Sequence, residues 1–293
     1  MAEPATVGTL LREGIARLGV AQRRDLELLL AGLLGLNLAG LIRESTSPVE
    51  PARVSAWREQ LLALAAGTPV AQLLGHWEFW SLEFEVDSHV LIPRPDTELL
   101  VETGIALAAE VPAGPVLDAG TGSGVIAVCM ARECADRAVL AVDRSATALA
   151  VARRNAERLA PGRIGFLQGN WLTALAPARF ALLLGNPPYI AETDPALEAT
   201  GSLRFEPRSA LAAGTDGLSD LSMLAGTAGA HLLPGGAIAL EHGWNQGDAV
   251  RRLLGAAGFS RIETRRDLAG HERVTLGHWQ PAAPRRNAEP RPY

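Results

Sequence analysis

Two periodicities divide this chain. Up to about residue 75, apolar residues recur at intervals of three and four, the spacing that lays one face of a helix against a core. Thr9-Leu-Leu-Arg-Glu-Gly-Ile-Ala-Arg-Leu18 predicts a first helix. A second is expected from Asp25, suited to capping a helix start, to Gly35, suited to the left-handed position that ends one. Ser47-Pro48 predicts the opening of a third, running through Trp57 to Ala66. Alternation follows at 79–86 and 90–92, and with Asp87-Ser88 between them these predict a hairpin. Pro93-Arg-Pro-Asp-Thr-Glu98 then opens a helix, with Pro95 suited to its first turn.

From about residue 114, short apolar runs alternate with amphipathic ones. Strands are expected at 115–119, 138–142, 164–168, 181–184, 236–241, 259–264 and 272–277. Helices are expected at 125–133, 147–159, 218–233 and 246–257. This alternation implies an α/β fold, Rossmann-like, with a seven-stranded, mostly parallel sheet covered on both faces. The chain therefore reads as a small helical N-terminal domain (1–76), a hairpin linker (77–94), an α/β domain (95–279) and a disordered tail (280–293) rich in Pro, Ala and Arg.

Composition narrows the function classes. The 27 basic residues are all arginine, which excludes Schiff-base and other lysine-dependent chemistry. A net charge of -5 argues against a dedicated nucleic-acid binder. In residues 1–80, seven Arg face eight acids, a balance that suits packing or docking rather than gripping phosphates. Cys129 and Cys134 have no CxxC or His-rich partner, so reduced, buried thiols are expected and no metal site. The start lacks a basic segment followed by an apolar one, and the apolar stretch 26–42 is short and broken. A cytoplasmic enzyme without membrane attachment is expected.

Chemistry enters with Val116-Leu-Asp118-Ala-Gly120-Thr-Gly122-Ser-Gly124, a strand running into a glycine turn and then a helix. A dinucleotide fingerprint would need glycine at Val125 or Ala127. The pattern is instead GxGxG preceded by an acid, as in S-adenosylmethionine sites. Asp143 ends the next strand, where a carboxylate accepts ribose hydroxyls. Asn170-Trp171 follows the third strand, with an indole to stack near an adenine and an amide to meet its amine. After the fourth strand comes Asn186-Pro187-Pro188-Tyr189. Its prolines fix a rigid extended corner that offers an amide oxygen, free carbonyls and a flat ring to a planar amide or amino group.

With these residues the chain resembles the bacterial peptide-chain release factor glutamine N5-methyltransferases over roughly residues 5 to 278. The resemblance is carried by Glu78-Phe-Trp-Ser-Leu, Ile92-Pro-Arg-Pro-Asp-Thr-Glu98, Leu117 to Gly124 and Asn186 to Tyr189, and extended by Arg204-Phe-Glu-Pro207, Leu240-Glu-His-Gly-Trp244 and Glu272-Arg-Val. It implies a class I S-adenosylmethionine-dependent methyltransferase acting on the glutamine of a Gly-Gly-Gln motif in class I release factors. Gly120, Thr121, Gly122, Ser123, Gly124, Asp143, Trp171 and Asn186 would contact the donor. Asn186, Pro187, Pro188 and Tyr189 would hold the glutamine amide, and the helical domain would engage the release factor. Two departures stand out: Asn170 where many relatives carry Asp, and Gly185 where Ser is more usual.

The residues suggest direct in-line transfer. The corner contains no Lys or His, and nothing there deprotonates an amide at neutral pH. The Asn186 oxygen and the Pro187 carbonyl accept the amide hydrogens, Tyr189 stacks on the amide plane, and the proton leaves after transfer. Glu241-His-Gly-Trp244 ends a strand near the pocket, where packing is the expected role. Three rivals share parts of the pattern: a ribosomal-protein glutamine methyltransferase, a DNA adenine methyltransferase and a noncatalytic adaptor that binds the donor. The DNA enzyme would need a basic groove and a recognition insertion, and the sequence has neither.

Overall fold

The computed structural model describes residues 4–175, 180–197 and 202–281, so the expected tail lies outside the described residues from 282 onward. The chain divides into two compact units, Met1–Pro93 with Thr193–Leu211, and Arg94–Glu192 with Ala212–Tyr293.

The first unit contains α1 (Val7–Leu18), α2 (Arg23–Leu34), α3 (Leu38–Arg43), α4 (Pro51–Ala65) and α5 (Val70–Leu74), then a hairpin of β1 (His76–Phe79) and β2 (Leu82–Glu85). Leu10, Leu26, Leu29, Leu30, Trp57 and Leu61 form its core. Thr6 and Thr9 close a reciprocal cap at the start of α1, and Gly35 ends α2 in the left-handed conformation with φ 69°. Asp25 is not the cap of α2. The helix begins at Arg23, so Asp25 contributes an acidic charge to its first turn. Ser47-Pro48 does not open α4 either. Pro48 bridges to Thr6, and Pro51 takes the first helical turn instead.

The hairpin differs in register from its expected form. Its turn is Trp80-Ser81, both residues at φ 54°, the double left-handed geometry of a tight hairpin turn. Neither residue type advertises that conformation, and the turn lies seven residues before the expected Asp87-Ser88. Val90 and Ile92 form no strand. They are buried in a coil, and the Ile92 N–H donates to the Glu206 carboxylate at 3.0 Å. The hairpin and the segment Thr193–Leu211 both group with the helices.

The second unit begins with α6 (Asp96–Glu110). It continues with β3 (Val116–Ala119), α7 (Val125–Glu133), β4 (Val139–Asp143), α8 (Ala146–Leu159), β5 (Ile164–Gln168) and β6 (Phe180–Gly185). It ends with α9 (Ser219–Ala228), β7 (Leu232–Glu241), α10 (Gly247–Ala256), β8 (Phe259–Arg266) and β9 (Glu272–Trp279). The sheet has seven strands in the order β5-β4-β3-β6-β7-β9-β8, and only β9 runs against its neighbours. Leu117, Leu183, Leu224, Ile238, Leu254 and Phe259 belong to the core of this sheet and its helices. α9 stops five residues short of the expected 233, because Gly229 packs against the Trp279 ring and a tight turn leads directly into β7. The chain steps outward from β3 to β4 and β5, then returns to lay β6 on the other side of β3. Ligands bind at such a reversal in open α/β sheets. Cys129 and Cys134 are free and buried. Among the described residues no helix is long and apolar enough to cross a membrane.

Candidate active site

Strand register aligns the site. Ala119 pairs with Val142 on one side and with Gly185 on the other, and Gly185 pairs with Leu240. The next residue along each strand is therefore Gly120, Asp143, Asn186 or Glu241. These four stand in a row at the carboxyl ends of β3, β4, β6 and β7, across the reversal point. A parallel sheet thus brings the glycine turn and the Asn-Pro-Pro-Tyr corner together although more than sixty residues separate them.

The glycine turn is held from several sides. Gly120 (φ 80°) has no room for a side chain, since a Cβ there would meet the Trp171 ring at 2.6 Å. Gly122 (φ 54°) faces open space, and its N–H donates to Asp143 Oδ2 at 2.9 Å. The other Asp143 oxygen accepts the Ser145 N–H at 2.8 Å, while Ser145 itself caps α8. Thr121 and Ser123 are both buried. The Thr121 hydroxyl donates to Asp118 Oδ2 at 2.6 Å, and the Ala127 N–H donates to the same oxygen at 3.1 Å. Asn155 Nδ2 donates to the Ser123 carbonyl at 2.9 Å. Burial pushes the Asp118 carboxyl up to about 7, and these two donors only partly offset it. Trp171 (φ 51°) lays its ring against Gly120 and donates its indole N–H to Asp220 Oδ1 at 2.9 Å. The Asn170 side chain is exposed.

The corner after β6 is built differently. Pro187 and Pro188 are buried and hold the backbone, while Asn186 and Tyr189 are half-buried. Asn186 Nδ2 donates to Thr97 Oγ1, in the first turn of α6, at 3.0 Å. Asn186 Oδ1 is left as an acceptor. The far end of the corner is clamped by Gln246, whose Nε2 donates to the carbonyls of Tyr189 at 3.0 Å and Gly217 at 3.3 Å. The Tyr189 hydroxyl donates to Glu241 Oε1 at 3.5 Å. Glu241 is 1% exposed, and burial pushes its carboxyl up to about 7 against the opposing hydrogen bond from the Thr97 hydroxyl. Burial and the neighbouring Glu241 push the Tyr189 phenol up, so it stays neutral at physiological pH. Arg273 on β9 pairs with Asp96 at 3.1 Å and Asp267 at 2.9 Å beside this group.

Glu241 is thus not a packing residue: it receives the hydroxyls of Thr97 and Tyr189. Sequence reasoning also passed over Thr97 and Gln246 as site residues. The available signal was position, because an acid ending an apolar strand at the same level as Asn186 is expensive to bury without a role. Gln246 carries no such signal, being a loop amide recognisable only once the corner is folded.

The fold matches those of solved methyltransferases. A methyltransferase from Pyrococcus furiosus superposes with a TM-score of 0.52 at 18% identity, covering 76% of this chain and 98% of that one. A T. thermophilus 16S rRNA N2 G1207 methyltransferase, solved with AdoMet and guanosine, gives 0.51 at 20% identity, covering 70% of this chain and 50% of that one. The fold is that of a class I methyltransferase. The Methyltransferase small domain family matches residues 95–215, and the PrmC N-terminal domain family matches residues 9–75. Proteins named release factor glutamine methyltransferase are 49% identical in Bordetella pertussis (92% of this chain, 99% of the relative), 46% in Pseudomonas aeruginosa (94% and 99%) and 42% in Escherichia coli (92% and 97%). The chain belongs to the release factor glutamine methyltransferase family.

Proposed function

We propose that this enzyme methylates the side-chain amide nitrogen (N5) of the glutamine in the Gly-Gly-Gln motif of class I release factors, with S-adenosylmethionine as donor. The observation that carries the reading is the Asn186 to Thr97 hydrogen bond, which leaves the cleft lined by acceptors beside the glycine turn. Nearly full-length similarity to relatives that bear this name supports the substrate class, and a translation-factor substrate implies work in the cytoplasm.

The residues fit the donor. Gly122 opens onto free space with no side chain in the way. Each Asp143 oxygen accepts one N–H and keeps lone-pair capacity for ribose hydroxyls. Gly120 to Gly124 would hold the donor through backbone, with Thr121 and Ser123 contributing no side chain. Trp171 would contact the adenosine portion, and Asn186 would border the reacting end. When bound, S-adenosylmethionine supplies an electrophilic methyl on a sulfonium sulfur.

The chain's own residues then orient the acceptor. Asn186 Oδ1 and the Pro187 carbonyl take the two hydrogens of the glutamine amide, and the Tyr189 ring covers its plane. A carboxylate brings no hydrogens and is refused. Delocalisation makes an amide nitrogen a weak nucleophile, so positioning is the main contribution, worth roughly 7–11 kcal/mol in favourable cases. No base is required before transfer; a carboxyl near 7, such as Glu241, is far too weak to ionise an amide. The proton leaves once the methylated nitrogen has become acidic. The helical unit engages the body of the release factor.

Radiolabelled methyl transfer tests this reading with four acceptors: purified release factor, its motif-glutamine variant, ribosomes and DNA. Label in intact release factor alone is expected. Label in ribosomes with none in release factor would support a ribosomal-protein glutamine instead.

A further inference from the structure

We propose that Thr97 and Glu241 are positioning residues that fix which end of the Asn186 amide faces the substrate, and thereby make the enzyme select a carboxamide over a carboxylate. This rests on the reading of Asn186 as a substrate acceptor. An asparagine side chain has two ends of nearly equal shape and opposite hydrogen-bonding character. A half-turn about its last bond would convert the cleft from an acceptor site into a donor site. Something must hold it one way.

Thr97 alone does not, because a hydroxyl both donates and accepts. If its proton pointed at Asn186, the amide would turn its oxygen toward Thr97 and offer its NH2 to the substrate. Glu241 removes that option. The Thr97 hydroxyl donates to the Glu241 carboxyl, which leaves only lone pairs for Asn186, and Nδ2 meets them at 3.0 Å. Tyr189 donates to the same carboxyl at 3.5 Å. Hydrogen-bond polarity therefore runs from Asn186 to Thr97 to Glu241, and from Tyr189 to Glu241, always away from the cleft. Thr97 is 3% exposed and Glu241 1% exposed, which restricts water from taking either place. Glu241 Oε2 is buried without a partner, so this carboxyl is held for its acceptor character despite the cost of burying it. Both groups are anchored by backbone: Glu241 stands beside Asn186 by strand register, and the Thr97 N–H donates to the Arg94 carbonyl at 3.0 Å.

The test uses the intact enzyme and two forms of intact release factor, the natural one and one with glutamate in place of the motif glutamine. In Glu241→Gln, the new amide can donate to Thr97 and turn its hydroxyl toward Asn186. Turnover on natural release factor is expected to fall by about tenfold or more, the value of one directed hydrogen bond. The glutamate form, as competitor, is expected to gain about tenfold relative to natural release factor. Thr97→Val should lose turnover comparably, and Thr97→Ser should recover most of it. Donor affinity and melting temperature, measured on every variant, identify a variant that has simply misfolded. If Glu241→Gln loses turnover while the competition ratio stays fixed, or Thr97→Val is fully active, the proposal is overturned and the proposed function stands. If the wild type fails to label release factor, the underlying reading falls instead.

Discussion

The two turns at the carboxyl ends of β3 and β6 reach rigidity by opposite routes. Gly120–Gly124 is stiffened from outside. Its three glycines adopt φ of 80°, 54° and 86°, conformations that cost nothing to glycine but also hold nothing in place. Asp118, Asn155, Asp143 and Trp171 supply the constraint. Asn186–Tyr189 is stiff by covalent structure, because two prolines fix their own φ and restrict the residue before them. What it lacks is control of its side chains, and Thr97 and Glu241 provide that, while Gln246 holds the backbone carbonyl of Tyr189. The difference suits the ligands proposed above. A turn that would admit a bulky donor must be free of Cβ atoms, whereas a corner that would grip a small amide must fix acceptor directions. Proline contributes again here by carrying no N–H donor to compete.

Substitutions on each side test this contrast. Asn186→Ala should have the largest effect, lowering kcat about 100-fold or more while leaving the melting temperature near wild type. Near-normal turnover would mean that the corner does not grip the amide. Gly120→Ala should strike the other turn differently. The new Cβ meets Trp171 and enters a left-handed conformation costing about 1–2 kcal/mol, so calorimetry should show weaker binding of the demethylated donor together with a lower melting temperature. An alanine variant that binds normally would contradict the close approach of Trp171. Tyr189→Phe should be milder, within about tenfold of wild-type turnover, because it loses one long hydrogen bond to Glu241 and keeps the ring. Tyr189→Ala should be close to inactive. A phenylalanine variant as poor as alanine would assign the role to the hydroxyl.

The smallest effect concerns pH. Glu241 is raised from 4.5 to about 7 by burial, with Asp96 adding to the shift and Thr97, Tyr189 and Arg273 opposing it. A folded-state value above the unfolded one stabilises the protein below the unfolded value, and that stability is lost as pH rises through the folded one. Wild-type melting temperature should therefore carry a component that falls between about pH 5 and about pH 8, and Glu241→Gln should remove it. Asp118, raised in the same direction, leaves a remainder in both proteins. Identical slopes in the two would contradict a buried, ionising Glu241.

Much of this architecture was legible from pattern. The alternation after residue 114 gave all seven sheet strands, because buried parallel strands are apolar runs bounded by polar turns. The N-terminal helices emerged from their periodicity, apart from the short α3 and α5, which have too few turns to display one. Errors gathered where local chemistry was misleading. Asp25 and Ser47 are good capping types used elsewhere, and Trp80-Ser81 adopts a turn usually built from Asn and Gly. Within the site, glycines and prolines announced the backbone, since few other residues perform those tasks. Thr97 and Glu241 were obscured because ordinary residue types acquire their roles from strand register and the first turn of a distant helix.

The most direct test of the account is localisation of the transferred methyl by tandem mass spectrometry of release factor treated with wild-type enzyme and with Asn186→Ala. The prediction is a single methyl on the side-chain nitrogen of the Gly-Gly-Gln glutamine with wild type, and almost none with the variant. A methyl on any other atom, or equal modification by both proteins, would contradict it.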